Sequence, residues 1–208
     1  EEHRPEDFHV TVKAGTPWTE VQAYLAGEDR ELDWTVPHPE QRSVGGILAG
    51  DESWPWRGGQ RSPRDRLLGL SGLLADGSPF STGGRVVKNV TGYDLCRLLA
   101  GRRGALALTT SLRLRPRPRV ESRRLLLLSF RDADRARDAA LALFGRCEFP
   151  AGILLLGPGF ELPDLQPATR LALGLEGRER DLAEQERRSL EILGAEALLP
   201  RDTAREEG

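Results

Sequence analysis

The amino-acid sequence predicts an α+β protein in two parts, residues 1–119 and residues 120–208. Three observations carry this reading. Runs of alternating apolar and polar residues, parted by turn signals, fill much of the first part. A short apolar helix lies among glycines within residues 88–110. After a Pro- and Arg-rich connector, "RPRPRVES", two β-α-β patterns follow in succession. A chain of 208 residues is long enough to bury a core as one domain or two small ones.

In chain order, "DFHVTVKAGT" sets Phe8, Val10 and Val12 against His9, Thr11 and Lys13, which predicts a half-buried strand ending at Gly15. "TPWTEVQAYLAGED" predicts a helix with Thr16 as N-cap and Pro17 at the first helical position. Val21, Tyr24 and Leu25 supply its apolar face, and Gly27 stops it. Residues 36–66 have little periodicity, and connections of that length in compact domains are usually functional or disordered. Inside them, "SVGGILAG" predicts one short helical turn led by Ser43. "ADGS" is a hairpin signal, because Asp-Gly supplies the positive φ such turns need. It predicts a hairpin of residues 67–74 with 79–82. A helix from about Thr91 to Ala100 and a strand in "ALALTTSLRLRP" complete the first part.

In the second part, "RRLLLLSF" predicts a strand. "DADRARDAALALFG" predicts a helix capped by Asp132, with Ala136, Ala140, Leu143 and Phe144 inward. "AGILLLGPG" and "ATRLALGLEG" predict strands, "RERDLAEQERRSLEILG" a helix and "AEALLP" a final short strand. This order suits a small ferredoxin-like, split β-α-β layer. The charged tail "RDTAREEG" is expected to fray.

Composition narrows the function. Thirty basic residues against 32 acidic ones give a formal charge of -2, which argues against a nucleic-acid surface. The two cysteines, Cys96 and Cys147, match neither a disulfide framework nor a zinc spacing. Cys96 reads as a buried free thiol, which fits a reducing compartment. No run is long and apolar enough to span a membrane, and no signal peptide is visible. The expected location is cytoplasmic. The sequence contains no Met, so its first residue is expected to lie downstream of the start of the reading frame.

The glycines raise the chemical question. Thr91 followed by Asp94 matches a capping box. Gly92 inside that first turn costs roughly 1 kcal/mol relative to alanine, which something should offset. A helix N-terminus with small residues is a ready anion site. Gly104 before a strand permits close approach of another group. "SVGG", Ser43 to Gly46, could expose successive amides to a phosphate or a planar ring. On the residues alone, caps and turns explain the glycines of residues 88–110 equally well and are the better account of "SVGG". His38, between Pro37 and Pro39, is expected to be extended.

Taken together, "TVKAGT", "PHPEQRSVGGILAG", "RDRLLGLSGLLADGS" and "GGRVVKNVTGYDLCRLLAGRRGALALTTSLRLRPRP" follow in one order. This series resembles the PCMH-type FAD-binding domain of the vanillyl-alcohol-oxidase family, above all the FAD-binding (E) subunits of bacterial glycolate oxidases. The resemblance covers residues 8–119 strongly and the second part loosely. It implies a domain whose second lobe is present and whose first lobe is truncated, "DFHVTVKAG" being that lobe's last strand. It implies FAD as cofactor, with Ser43, Val44, Gly45 and Gly46 lining the flavin and pyrophosphate region. Pro37 and His38 would approach the cofactor, and Gly92, Tyr93 and Asp94 would flank it. Gly104 and the strand backbone at Leu106 and Leu108 would lie by the adenine end.

The resemblance further implies oxidation of glycolate or a related 2-hydroxy acid to the 2-oxo acid. The partners would be a flavin-containing catalytic subunit and an iron–sulfur subunit, with any membrane association peripheral and made through them. The sequence departs from the family pattern in places. Asp51 and Trp54 stand where the family has Asn and Gly, and Arg61 stands where it has Gly. "GRRGALA" replaces "GSEGTLG", and its Arg102 and Arg103 read as solvent-facing.

Flavin oxidation of a 2-hydroxy acid needs a base for the hydroxyl proton and a cation for the carboxylate. Histidine is the usual base. His3, His9 and His38 all precede residue 40, so no catalytic base is assigned. The residues also admit a non-catalytic assembly subunit whose degenerate FAD-type fold does not retain flavin by itself.

Overall fold

The computed structural model describes residues 3–4, 9–51, 62–83, 94–146, 150–160 and 167–193. They divide into two compact units, one up to Arg119 and one from Val120 onward.

The first unit is built on a five-stranded antiparallel sheet. Its strands are β1 (His3–Arg4), β2 (His9–Lys13), β4 (Leu67–Leu73), β5 (Pro79–Gly83) and β6 (Leu108–Leu114). They lie in the order β1-β2-β6-β4-β5. A separate two-stranded ladder pairs β3 (Arg30–Glu31) with β7 (Arg117–Pro118). The helices are α1 (Trp18–Ala26), α2 (Val44–Gly50), α3 (Pro63–Arg66) and α4 (Leu95–Leu99), with a 3-10 turn at Pro39–Gln41.

Period-two alternation explains the sheet's inner face. Val10, Val12, Leu70, Leu112 and Leu114 are buried there in one cluster with Val21 and Leu25 of α1 and Val44, Ile47 and Leu48 of α2. Trp18 and Trp34 stack within the same core, with ring centroids 5.3 Å apart. Gly72 is a steric requirement, since a Cβ there would lie 2.1 Å from the Leu108 carbonyl oxygen.

Several expectations need correction. β2, assigned by resemblance to the first lobe, pairs with β6 in the same sheet as β4 and β5. His9 is buried rather than solvent-facing. The N-cap of α1 is Pro17, one residue later than expected. Thr16 cannot take that role, because its amide closes a turn on the Lys13 carbonyl and its own carbonyl accepts from Val44. Tyr24 is 48% exposed, lying off the axis that Val21 and Leu25 share. α4 starts at Leu95 with Asp94 as its N-cap, accepting from the Arg97 amide at 3.0 Å, so Asp94 is not the third residue of a helix begun near Thr91. Thr91 lies outside the described residues. Cys96 is a buried free thiol, and burial pushes its pKa up, with Asp94 adding to the effect. Cys147 lies outside the described residues.

The second unit comprises β8 (Ser122–Phe130), α5 (Ala133–Arg146), β9 (Gly152–Leu156), β10 (Thr169–Gly177) and α6 (Glu179–Leu193). Its three-stranded sheet runs β8-β10-β9, and β10 is antiparallel to both neighbours. β8 and β9 are therefore parallel with β10 between them, which makes a split β-α-β unit. Leu126, Leu128, Leu171 and Leu173 pack against Ala136, Leu143 and Leu182. The expected final strand lies outside the described residues.

Asp132 caps α5 through the Arg135 amide. Ala136 and Leu143 are fully buried, but Phe144 is 74% exposed. Ala136 and Leu143 are seven residues apart and share one side; Phe144 lies about 100° further round. Leu143→Ala is expected to cost about 2–5 kcal/mol, whereas Phe144→Ala stays within about 0.5 kcal/mol. Urea unfolding followed by circular dichroism checks both. Equal losses would contradict this account of α5.

Candidate functional site

The site begins where β2 ends. Ala14 donates its amide to Thr110 and accepts from Gly45, which joins the end of β2 to both β6 and α2. Ser43 is the N-cap of α2, its hydroxyl accepting from the Gly46 amide at 3.2 Å. Val44 donates to the Thr16 carbonyl at 3.0 Å, Gly45 to Ala14 at 2.8 Å and Ile47 to Ser43 at 3.0 Å.

The amides of Val44, Gly45, Gly46 and Ile47 are thus all spent within the protein. The exposed amides that "SVGG" led us to expect are not free to meet a phosphate. Val44 also buries its side chain completely. Gly45 has a packing reason, because a Cβ there would lie 2.7 Å from both the Cβ and the carbonyl oxygen of Ala14. Gly46 is different: it is exposed, and a Cβ there would meet only Ser43 Oγ, at 3.2 Å.

The C-terminal end of α2 is held by the "GRRG" turn. Gly101 donates to Leu48 and Arg103 to Ala49. Gly101 (φ +75°) has no room for a side chain, since a Cβ would lie 3.0 Å from both Asp51 Cβ and Arg64 Nη2. Asp51 in turn accepts from Arg64 Nε at 2.8 Å. "SVGG" and "GRRG" therefore occupy opposite ends of a seven-residue helix, about 10 Å apart. The chain then returns from Arg103 to Thr110, beside the start of α2, through Gly104 (φ +79°), Leu106 and Leu108. Gly104 is open, with nothing within 4 Å of its would-be Cβ, and Leu106 and Leu108 are 47% and 63% exposed. Arg102 and Arg103 are exposed as well.

The remaining predicted residues are more scattered. Pro37 is half-buried and His38 exposed. His38 is not extended: its φ is +50°, and its carbonyl accepts from the Gln41 amide, closing the 3-10 turn. A left-handed histidine before proline is a strained arrangement, and the turn closure offsets that strain. The same turn delivers Arg42, whose carbonyl accepts from the Trp18 amide. Asp94 is exposed at the start of α4. Gly92 and Tyr93 lie outside the described residues. A shallow cavity of about 250 Å³ between β2 and α1, lined by Val10, Val12, Val21 and Tyr24 among others, holds none of the predicted residues. Among the described residues no group of three or more His, Cys, Asp or Glu could hold a metal ion.

The fit to a dinucleotide is selective. Gly15 and Gly104 leave main chain uncovered by any side chain, and Gly46 is approached only by the Ser43 hydroxyl, so a flat ring system can reach backbone there. Helix α2 offers that ligand's phosphates no free amide.

Comparison with known proteins decides the lineage. The sequence profile of the FAD binding domain family matches residues 1–83. Those residues are similar to that family's FAD-binding domain. The glycolate oxidase subunit GlcE of Escherichia coli is 36% identical over 119 residues, covering 56% of this chain and 34% of that protein. An uncharacterised FAD-linked oxidoreductase of Mycobacterium tuberculosis is 32% identical over 181 residues, covering 84% of this chain and 38% of the other. The chain thus spans little more than a third of the length of either relative. A solved structure of alkyldihydroxyacetonephosphate synthase superposes with a TM-score of 0.74 at 15% identity, over 96% of this chain and 40% of that one. The FAD-binding domain here therefore has the PCMH-type fold, continuing into the small α/β unit.

The sequence did not single out the buried charges of this FAD-binding domain. Asp33 and Glu31, 3% and 7% exposed, hold Arg66 and Arg117. Two acids in "RELDWTV", a stretch otherwise rich in large apolar residues, were the available signal.

Proposed function

We propose that this chain is the FAD-binding subunit of a glycolate oxidase-like complex. The complex oxidises glycolate or a related 2-hydroxy acid to the 2-oxo acid. The observation that carries the reading is the 36% identity to the glycolate oxidase subunit GlcE over 119 residues. FAD would take up the hydride equivalent. This chain's share is to hold the ring system against the bare backbone at Gly46 and Gly104. All three histidines precede residue 40, and His9 is buried while His38 is exposed; no residue of this chain is assigned as the base for the hydroxyl proton. The expected partners are a flavin-containing catalytic subunit and an iron–sulfur subunit. Among the described residues no helix is long and apolar enough to cross a membrane, and the proposed location is cytoplasmic, with membrane contact only through partners.

A second reading has one observation in its favour, the spent amides of α2. In that reading the chain is an assembly subunit that packs against partners and does not retain flavin by itself. The visible absorption spectrum of the purified chain after FAD addition and gel filtration separates the two. Flavin comigrating at about one per chain supports the first. A colourless protein overturns it as an autonomous flavoprotein and supports the second.

A further inference from the structure

Among the described residues, the outer face of the five-stranded sheet carries Lys13 and Arg113 with no ion pair to a carboxylate. Thr11 of β2 pairs with Arg113 of β6, and Lys13 with Ser111. Lys13 and Arg113 are therefore diagonal neighbours on one face, opposite the buried Val10, Val12, Leu112 and Leu114, within reach of one another for long side chains. The described surroundings on that face are the hydroxyls of Thr11, Ser111, Ser71 and Ser81, the last two hydrogen-bonded through Oγ at 3.0 Å, and the buried His9, the other diagonal neighbour of Arg113.

Arg113 extends across β4 at Gly69, its Nη1 3.5 Å from where a Cβ would be. Its Nε is buried and finds no acceptor. A buried donor atom without an acceptor is costly. An oxyanion reached by both side chains would supply that acceptor.

We propose that Lys13 and Arg113 form a subsite for an oxyanion, either a phosphate of the dinucleotide or the carboxylate of the acid substrate. Lys13 immediately precedes Ala14, whose carbonyl holds Gly45, so the subsite begins at the strand end where α2 docks, on the sheet face opposite the buried residues of α2. The amides there are spent, and a bound anion needs donors from elsewhere. Lysine and arginine side chains provide them, with arginine able to engage two oxygens at once. The source of the anion rests on the flavin reading; the subsite itself does not.

Isothermal titration of the full chain at low salt, with inorganic pyrophosphate, ADP, glycolate and FAD in separate runs, tests this. The expected result is binding of pyrophosphate and ADP if the anion is the cofactor's, or of glycolate if it is the substrate's. Arg113→Gln should weaken that binding at least about tenfold, with partial recovery in Arg113→Lys and weakening by added salt. Should Arg113→Gln fail to fold by circular dichroism, Lys13→Gln, at an exposed position, carries the same comparison. Failure of the wild-type chain to bind any of these anions overturns the proposal. So do variants that bind as tightly as wild type. FAD uptake together with binding of pyrophosphate, ADP and glycolate all indifferent to both residues would overturn the subsite and leave the flavin reading standing. Anion binding that depends on both residues, without FAD uptake, would do the reverse.

Discussion

Asp33→Ala is expected to lower the unfolding free energy of the first unit by about 3–5 kcal/mol. Asp33 is 3% exposed and Arg66 is 8% exposed. Arg66 donates Nε to Asp33 Oδ1 at 2.9 Å and Nη2 to Oδ2 at 2.5 Å, a two-point pairing. Arg117 extends the chain of charges, with Nε 2.8 Å from Glu31 Oε1 and 3.6 Å from Asp33 Oδ2. Two acids and two bases thus lie together with little solvent. Removing the Asp33 carboxylate strands the Arg66 guanidinium where water cannot replace it. The cost comes from that stranded charge more than from the lost attraction, so exchanging both partners for apolar residues, Asp33→Leu with Arg66→Met, should recover most of it. Urea unfolding of the two variants checks the pair. A loss below about 1 kcal/mol in Asp33→Ala would mean that the network contributes no more than a surface ion pair.

Gly45→Ala and Gly46→Ala should separate stability from flavin uptake. At Gly45 a Cβ would lie 2.7 Å from the Ala14 side chain and carbonyl, so α2 must move away from β2. The Gly45–Ala14 and Val44–Thr16 hydrogen bonds would both stretch. Overpacking of this kind costs about 1–3 kcal/mol, and flavin uptake should fall along with stability. At Gly46 a Cβ meets only Ser43 Oγ, at 3.2 Å. Alanine's better helix propensity offsets that crowding, so stability should change by no more than about 0.5 kcal/mol. A ring resting on the Gly46 backbone would still be displaced, and uptake should drop about tenfold without a stability loss. Denaturant titrations alongside FAD titrations read both quantities. Undiminished uptake in Gly46→Ala would remove Gly46 from the ring's contacts.

Much of the secondary structure was legible because its signals are local. Asp76-Gly77 closes the β4–β5 hairpin, with Gly77 at φ +83°. Ser43 caps α2 and Asp132 caps α5, each within three residues of its target amide. Alternation placed Val10, Val12, Leu112 and Leu114 on one face, and the "RPRPR" connector marks where the second unit starts. These features depend on one residue and its near neighbours, so reading along the chain finds them.

The candidate site was legible only in part, because its character depends on residues distant in the chain. Nothing near Gly45 reveals that Ala14 and Thr16 consume the amides at the start of α2. That result turns "SVGG" from an expected phosphate cradle into a packing joint with one open glycine. The Asp33–Arg66 pair joins residues 33 apart in sequence, and the Lys13–Arg113 pair depends on a strand register that neither strand encodes alone. Local pattern was enough to find the longer strands and helices, the Ser43 and Asp132 caps and the family resemblance. Which donors stay free, which charges are buried and which cations lie side by side were set by strand pairing and helix docking, since hydrogen-bond competition and desolvation act between groups that only the folded chain brings within reach.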